Sequence, residues 1–198
     1  MYTSKIELIQ GEKVKLPTKY GDFELIPFQE EGTDLEHVIL MKGVLHSGGV
    51  WLTRIHSSCV TSDIFGSYRC DCGEQLIKSM ELIEEKGKGI IVYLQQEGRG
   101  IGLMNKISAY KLQEKGLDTV EANLHLGFAP DERDYTVAAE ILKSLNISMI
   151  QLLTNNPEKI ISMEENGITV VERVPLYIKH NEHNHKYLTT KLSKMGHL

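Results

Sequence analysis

The three cysteines of this 198-residue chain lie close together, at positions 59, 70 and 72. Thiolates are soft ligands that suit zinc, and such a cluster is typical of a metal site. A structural zinc site closes its tetrahedron with a fourth protein ligand, whereas a catalytic site leaves that position to water. Because the chain has no fourth cysteine, the cluster favours an open, catalytic zinc site at Cys59, Cys70 and Cys72.

Three other interpretations of the cysteines stay open at this stage. A disulfide would leave one thiol over, and the chain shows no secretory signal peptide that would indicate an oxidising compartment. Buried thiols often simply pack, although Arg69, Asp71 and Gly73 make this loop polar. His56, three residues before Cys59, would serve as the fourth ligand of a closed structural site.

Four further segments carry residue types suited to an anionic ligand. Gln95 to Gly102 is a glycine-rich turn that contains Arg99, and backbone N–H groups in such turns bind anions at helix starts. Arg54 and His56 lie just before the first cysteine, Arg133 lies in an acidic segment, and Lys159 follows a strand. The segment from Asp118 to Asn123 has no generic chemical signature. Together these residues predict a zinc site beside an anion-binding wall, where zinc-activated water attacks a phosphorylated substrate.

The composition excludes several classes of protein. With 22 basic and 27 acidic side chains, the net charge of −5 argues against a broad electrostatic contact with nucleic acid. No apolar run approaches the ~18 residues of a membrane span. We expect a cytoplasmic protein with one domain over residues 1–198, of which 175–198 form a polar carboxyl-terminal tail.

The elements that position these residues follow from periodicity and turn residues. The amino-terminal part reads as mostly β, and strands alternate with helices after it. The predicted strands are a hairpin over Lys13 to Phe28 that turns at Tyr20 to Asp22, then His37 to Met41, Val50 to His56, Gly89 to Leu94, Met149 to Leu153 and Ile168 to Val171. The predicted helices run from Glu74 to Gly87, Gly102 to Lys115, Glu132 to Leu145, Asn156 to Gly167 and Thr189 to Met195. This order predicts an α/β fold, a single domain with a mixed β-sheet flanked by helices.

Six ordered motifs closely resemble those of GTP cyclohydrolase II. They are Arg54-Ile-His-Ser-x-Cys59, Arg69-Cys-Asp-Cys-Gly-x-Gln75, Gln96-Glu-Gly-Arg-Gly-Ile-Gly-Leu103, Asp118-Thr-Val-Glu-Ala-Asn123, Leu126-Gly-Phe-Ala-x-Asp-Glu-Arg-Asp-Tyr135 and Leu153-Thr-Asn-Asn-Pro-x-Lys159. The resemblance implies the first step of riboflavin biosynthesis, in which GTP loses C8 as formate and releases diphosphate. The implied product is 2,5-diamino-6-(5-phosphoribosylamino)pyrimidin-4(3H)-one.

The resemblance also implies a role for each matching residue. Cys59, Cys70 and Cys72 would hold one zinc ion per subunit with water in the fourth position, and Mg²⁺ would accompany the substrate phosphates. Asp131 matches the proton acceptor, Arg133 the nucleophile toward the α-phosphorus, and Tyr110 a tyrosine near the reacting ring. A guanidinium is a poor nucleophile, so charge stabilisation is an equally good account of Arg133. The implied GTP-binding residues are Arg54, Ile55, His56, Ser57, Ser58, Gln75, Glu97, Gly98, Arg99, Thr119, Thr154 and Lys159.

Two departures from the family pattern flank the first cysteine. The chain has Ser58 where the family usually has glutamate, and Ser62 where it usually has glycine. Ser58 leaves open a diverged homologue that acts on another purine nucleotide or stops at a formylated intermediate. A zinc-stabilised binding module without catalysis is a separate alternative. The resemblance further implies a homodimer, and 198 residues predict a monofunctional form without a fused synthase domain.

Overall fold

The computed structural model of the chain describes residues 6–45, 48–179, 184, 189 and 190. The described strands are β1 (Leu8–Gln10), β2 (Val14–Thr18), β3 (Gly21–Glu30), β4 (Glu36–Lys42), β5 (Trp51–Ser57), β6 (Gly89–Leu94), β7 (Met149–Leu153) and β8 (Thr169–Val174). The described helices are α1 (Val60–Asp63), α2 (Cys72–Lys86), α3 (Gly102–Glu114), α4 (Thr119–His125), α5 (Thr136–Ser144) and α6 (Pro157–Glu165). None of these helices has the length and apolar character that a membrane crossing needs.

The strands form one mixed sheet in the order β1-β3-β4-β6-β5-β7-β8, with β2 paired to β3. The amino-terminal strands β1 to β4 pair antiparallel, and β4 joins them antiparallel to β6. From there on β6, β5, β7 and β8 run parallel. The predicted α/β class, with a mixed sheet and a mostly β amino-terminal part, is confirmed.

Strand β6 is apolar along its length because both of its faces are covered. Its alternate residues Ile90, Val92 and Leu94 belong to the larger core cluster, which includes the apolar residues of α5, whereas Ile91 packs in a second cluster with Met80 and Ile83 of α2. Near-continuous hydrophobic runs of this kind are typical of parallel strands between two helical layers.

Local signals explain where several elements begin and end. Gly87 ends α2 in the left-handed conformation at φ 70°, which its missing Cβ permits, and its N–H bonds to Ile83 O. The side chain of Asn156 caps α6, and Pro157 occupies the first helical position. These predicted ends are confirmed.

The helix predicted over Glu132 to Leu145 is too long at its start. It begins at Thr136, because the Asp134 carboxylate accepts the Thr136 N–H at 2.8 Å and holds the preceding residues in a turn. Asp131, in the same segment, accepts hydrogen bonds from Arg133. The helix predicted near Thr189 to Met195 lies outside the described residues except for 189 and 190.

Two short helices and one strand are absent from the predictions. Helix α4 covers the segment from Asp118 that had no chemical signature, and Asp118 and Glu121 form a capping box at its start. Thr119 is therefore the first residue of a helix. Helix α1 follows the first cysteine, and β1 adds an edge to the sheet.

The parallel strands β5, β6 and β7 all end at the same edge of the sheet. The chain leaves β5 into the cysteine loop, β6 into the glycine-rich turn and β7 into Thr154. Strand β5 has β6 on one side and β7 on the other. The connection after β5 leads to β6, and the connection after β6 leads back past β5 to β7, so the two run in opposite directions. Ligands of open α/β sheets usually lie in the crevice at such a switch point.

Candidate active site

The three cysteine sulfurs form a compact group at the end of β5. They all lie within 4.8 Å of one another, and the Cys59 and Cys70 sulfurs are 3.7 Å apart. A tetrahedral zinc site with Zn–S bonds of ~2.3 Å places its sulfurs ~3.8 Å apart, so the spacing fits zinc. The cysteines are not in a disulfide. Among the described residues, the group contains only these three ligands, and no fourth side chain closes it.

The thiol group is poised to carry negative charge. The pKa of the Cys59 thiol lies far below its ordinary value because the Cys70 and Cys72 thiols hydrogen-bond to its sulfur and Lys106 adds a positive charge. The pKa values of Cys70 and Cys72 are raised correspondingly, because each serves as a donor to Cys59 and is buried. The two neighbouring thiols and Lys106 therefore favour a thiolate at Cys59.

His56 is engaged by a carboxylate and not by the cysteines. Its Nε2 lies 3.2 Å from Asp63 Oδ2, and the same oxygen accepts hydrogen bonds from the Cys59 N–H and the Tyr93 hydroxyl. Burial lowers the pKa of His56, so the ring is held neutral at physiological pH. Asp63 thus fixes the histidine and the first turn after Cys59 together, and His56 is not a ligand in this arrangement.

The residues around Cys59 include several buried polar atoms for which the described residues offer no hydrogen-bond partner. These atoms are His56 Nδ1, Ser57 Oγ, Ser58 Oγ and Arg54 Nε. Such groups are costly to bury unless a ligand or water completes them. Ser62, the other departure from the family pattern, accepts the Gly73 N–H at 2.8 Å and so ties the loop of Cys59 to that of Cys72.

The glycine-rich turn between β6 and α3 has a left-handed backbone. Gly98, Arg99 and Gly100 have consecutive positive φ values of 64°, 64° and 89°. Hydrogen bonds within the turn hold this shape, from Gly98 N–H to Glu97 Oε1 at 3.0 Å and from Gly100 N–H to Gln96 O at 3.4 Å. The turn is also fixed to the next segment, because Arg99 O accepts the Glu132 N–H at 3.0 Å and the Gln96 side chain bonds to Asp134 O.

Arg133 and Asp131 form a two-point ion pair beside this turn. The Arg133 Nε donates to Asp131 Oδ1 at 2.8 Å, and its terminal nitrogen donates to the other carboxylate oxygen. Burial alone would raise the pKa of Asp131, but the hydrogen bonds from Arg133 lower it overall. The pair is therefore a fixed carboxylate and a fixed cation.

Two more cations are built into the strand ends. Arg54 donates to Leu153 O at 3.0 Å and to the Gln75 side chain, and Lys159 donates to Ile55 O at 2.8 Å. Both are almost wholly buried, at 5% and 4% exposure. Thr154 uses its hydroxyl to accept the Asn156 N–H at 3.0 Å. Arg54 and Lys159 are thus held by carbonyl and amide groups.

Tyr110 of α3 stands next to the thiols and the cationic side chains. The Arg69 guanidinium lies 4.1 Å from its ring centre. Burial raises the pKa of Tyr110 to about 12, although Lys106 and a hydrogen bond with Thr61 work in the opposite direction. The phenol is therefore protonated at neutral pH and can donate a hydrogen bond.

One cleft of roughly 1040 Å³ brings almost all of the sequence-predicted site residues together. Those that line it are Arg54, His56, Ser57, Ser58, Cys59, Cys70, Cys72, Gln75, Glu97, Gly98, Arg99, Tyr110, Thr119, Arg133, Thr154 and Lys159. Ile55 does not line it, because its side chain lies in the core and only its carbonyl contributes, through Lys159. Asp131 does not line it either and acts on the cleft through Arg133.

Sequence reasoning missed several residues of the cleft. Lys106 and Asn123 line it and are buried, and Asp63 organises its floor from α1. The helical position of Lys106, four residues after Gly102, gives no warning that its side chain turns inward. Asn123 was part of a quoted motif, and the capping box at Asp118 was the signal that would have placed it on a helix.

Comparisons with known proteins agree with this geometry. The family model described as GTP cyclohydrolase II matches residues 10–175. The chain belongs to the GTP cyclohydrolase II family. The riboflavin biosynthesis protein RibBA of Phocaeicola vulgatus is 55% identical to it over 188 residues, which are 95% of this chain and 46% of that protein. The GTP cyclohydrolase-2 of Pseudomonas fluorescens is 53% identical over 184 residues, 93% of this chain and 90% of that protein.

Membership of the GTP cyclohydrolase II family confirms the resemblance drawn from the six motifs. The matched range contains the cysteine loop, the glycine-rich turn and the Asp131–Arg133 pair. The chain spans about half the length of the RibBA relatives, at 46%, and nearly all of the Pseudomonas protein, at 90%.

Proposed function

We propose that the chain hydrolyses GTP, opening its imidazole ring to release C8 as formate and releasing diphosphate, as the first step of riboflavin biosynthesis. One observation supports this most strongly. The cleft that contains the three thiols is also lined by Arg54, Arg99, Arg133 and Lys159. A zinc-type donor set beside four cations suits a substrate that carries both a reactive ring and several phosphates. The product is the diaminopyrimidinone phosphate named above.

The ring-opening half of the reaction belongs to the cysteine end of the cleft. Cys59, Cys70 and Cys72 would hold the zinc ion, which when bound supplies a Lewis acid that activates water for attack on C8. Gln75, fixed between Arg54 and Asp71 by hydrogen bonds, presents an amide to the base. Tyr110 keeps its proton at neutral pH and donates a hydrogen bond near the reacting ring.

The phosphates belong to the other end. The Arg99 guanidinium, the Thr119 hydroxyl and the Lys159 ammonium, which line the cleft, supply donors there, and Mg²⁺ accompanies the phosphates. The remaining polar groups of the β5 end, from Arg54 to Ser58, bind the nucleotide between the two ends.

Arg133 acts on the α-phosphorus as a fixed positive charge. Both of its donor directions toward Asp131 are used, and a guanidinium in such a pair keeps its proton. This favours stabilisation of developing phosphate charge over covalent attack. Asp131, held ionised by the pair, fixes Arg133, and the resemblance assigns it the role of proton acceptor.

The proposal extends to assembly and location. We propose a homodimer, as in the resemblance, and a cytoplasmic protein, because a reducing compartment keeps the three thiols available for metal. Neither the homodimer nor the cytoplasmic location requires a change in the arrangement of the proposed site.

The test is product analysis with purified protein, GTP and Mg²⁺. Formate and diphosphate in equal amounts support the proposal. Diphosphate without formate would replace it with the diverged homologue that stops at a formylated intermediate. Neither product from a zinc-loaded protein would overturn it in favour of a binding module. Cys59→Ser, assayed in parallel, should release no formate.

A further inference from the structure

Lys106 is a buried cation in the cleft that the reaction outlined above leaves without a role. It lies on α3 with 8% of its surface exposed. Its ammonium lies 3.1 Å from the Cys59 sulfur, 2.9 Å from the Thr61 hydroxyl and 2.7 Å from the Glu97 carboxylate. An ammonium has three protons to donate, and these three contacts use all of them.

The carboxylate that pairs with Lys106 links the two functional loops. Glu97 Oε1 also accepts the Gly98 N–H at 3.0 Å, and Oε2 accepts the Val60 N–H at 2.7 Å. Val60 directly follows Cys59, and Gly98 lies in the glycine-rich turn. Lys106 and Glu97 therefore connect the first thiol to the glycine-rich turn through one buried ion pair.

The glycine-rich turn leaves room for this lysine. A Cβ on Gly98 would stand 2.9 Å from Lys106 Cβ, and Gly98 has a φ of 64°. The lysine stem passes against a backbone that only glycine can present so closely.

The charge of the metal-bound cluster explains why an ammonium beside Cys59 is favourable. Three thiolates and one zinc dication sum to −1, and a buried uncompensated charge is costly. The Lys106 ammonium offsets this charge locally at Cys59, while its partner Glu97 carries one further negative charge. A hydrogen bond to a thiolate also withdraws electron density from the sulfur that is bound to the metal, which changes how strongly the metal attracts other ligands.

We propose that Lys106 is a positioning residue of the metal centre, which orients the Cys59 sulfur by a hydrogen bond and ties it to the glycine-rich turn through Glu97. This rests on the proposed binding of zinc by the three cysteines. Lys106 touches neither the ring nor the phosphates in this role and acts through Cys59.

The test compares Lys106→Met and Lys106→Arg with Lys111→Met, a matched control on the same helix whose side chain is 71% exposed. Each protein is loaded with excess Co²⁺, which takes zinc sites and gives a thiolate-to-metal charge-transfer band. Loss of the ammonium leaves Cys59 a better electron donor, so the band of Lys106→Met moves to longer wavelength. Lys106→Arg, which keeps the positive charge, recovers most of the shift.

Kinetics on the zinc-loaded proteins give a second readout. Lys106→Met should lower kcat by about 10- to 100-fold, the usual effect of removing a partner of a metal ligand, with a smaller change in KM. If this variant does not fold, the double variant Glu97→Gln with Lys106→Met, which removes both buried charges, takes its place. If the charge-transfer band of Lys106→Met lies at the same wavelength as that of the Lys111→Met control, the inference is overturned. A wild-type protein that binds no metal would instead contradict the proposed function.

Discussion

At the scale of single residues, the Asp131–Arg133 pair decides how the phosphate end of the cleft works. The side chains are 28% and 15% exposed, and two hydrogen bonds fix the guanidinium plane. A side chain held in this way loses little freedom when it meets a developing charge, which is what electrostatic catalysis requires. The same pair keeps Asp131 ionised.

Replacing Arg133 with alanine should lower diphosphate release by roughly 10²- to 10³-fold, the usual loss when one charge-stabilising donor is removed. Arg133→Lys keeps a cation without the two-point geometry. Its rate of diphosphate release should therefore lie between those of the wild type and Arg133→Ala. The measurement is the rate of diphosphate formation from GTP. The control is Lys143→Ala, a surface change on α5 where Lys143 pairs with Glu140. Normal diphosphate release by Arg133→Ala would remove the residue from the mechanism.

Tyr110 should act as a protonated phenol over a wide pH range. Since its pKa is raised to about 12 by burial, the neutral form persists above pH 10, where an exposed tyrosine would ionise. We expect kcat/KM to show no Tyr110 ionisation between pH 8 and 10.5, and Tyr110→Phe to lower kcat by about 10²-fold at every pH. Tyr177→Phe, at a 75% exposed position, is the control. A transition near pH 10 in the wild type that Tyr110→Phe abolishes would contradict this.

At the scale of elements, the site depends on three parallel strands ending at one edge. These strands could be predicted from alternation, the end of α2 from Gly87, and the capped start of α6 from the Asn156–Pro157 pair. All three signals are local. The cysteine group could be predicted from its spacing. Helix α4 was missed because its seven residues are too few for helical periodicity to show, although its capping box is plain in the sequence.

What could not be predicted is the direction in which buried polar side chains point. Lys106 looks like an ordinary solvated lysine of a helix, and Asp63 looks like part of a polar loop. Each is placed by partners far along the chain, Lys106 by Cys59 and Thr61 and Asp63 by Tyr93. Contacts of this kind follow from the packing of α3 and α1 against the strand ends, and no periodicity in one segment encodes them.

The glycine-rich turn offers a test at this scale. Gly100 has a φ of 89°, and a Cβ there would lie 3.0 Å from Glu132 O. Gly100→Ala should cost about 1–2 kcal/mol of folding free energy through its left-handed backbone and should also raise KM for GTP by displacing the turn. Gly32→Ala carries a similar φ of 78° with nothing within 4 Å, so it should lose stability without a change in KM. Equal KM values for the two variants would contradict an anion-binding turn.

At the scale of the whole molecule, the metal group joins parts of the chain that the sheet alone does not hold. Cys59 follows β5, whereas Cys70 and Cys72 lie at the start of α2, and Ser62 already bridges the two loops. A metal bound by all three would pin α2 to the sheet edge. Metal binding by all three cysteines would therefore be coupled to folding.

Zinc should raise the melting temperature of the metal-free protein. Binding to the folded state alone adds about 4 kcal/mol when free zinc exceeds Kd a thousandfold, which is roughly 8–16 °C for a chain of this size. Thermal unfolding with and without zinc measures it, after chelation under reducing conditions. Cys59→Ser should lose most of the shift, whereas Ser67→Ala, outside the ligand set, should keep it. A wild-type melting temperature that ignores zinc would contradict the metal centre.

The central claim is that the three-cysteine centre acts at C8 of GTP. The most direct measurement follows GTP labelled with ¹³C at C8 by NMR, using zinc-loaded wild type, metal-free wild type and zinc-treated Cys59→Ser. The label should leave as formate, one for each diphosphate, only with the zinc-loaded wild type. Formate release of equal rate from the metal-free protein, or a label that stays in the nucleotide while the zinc-loaded wild type consumes GTP, would contradict it.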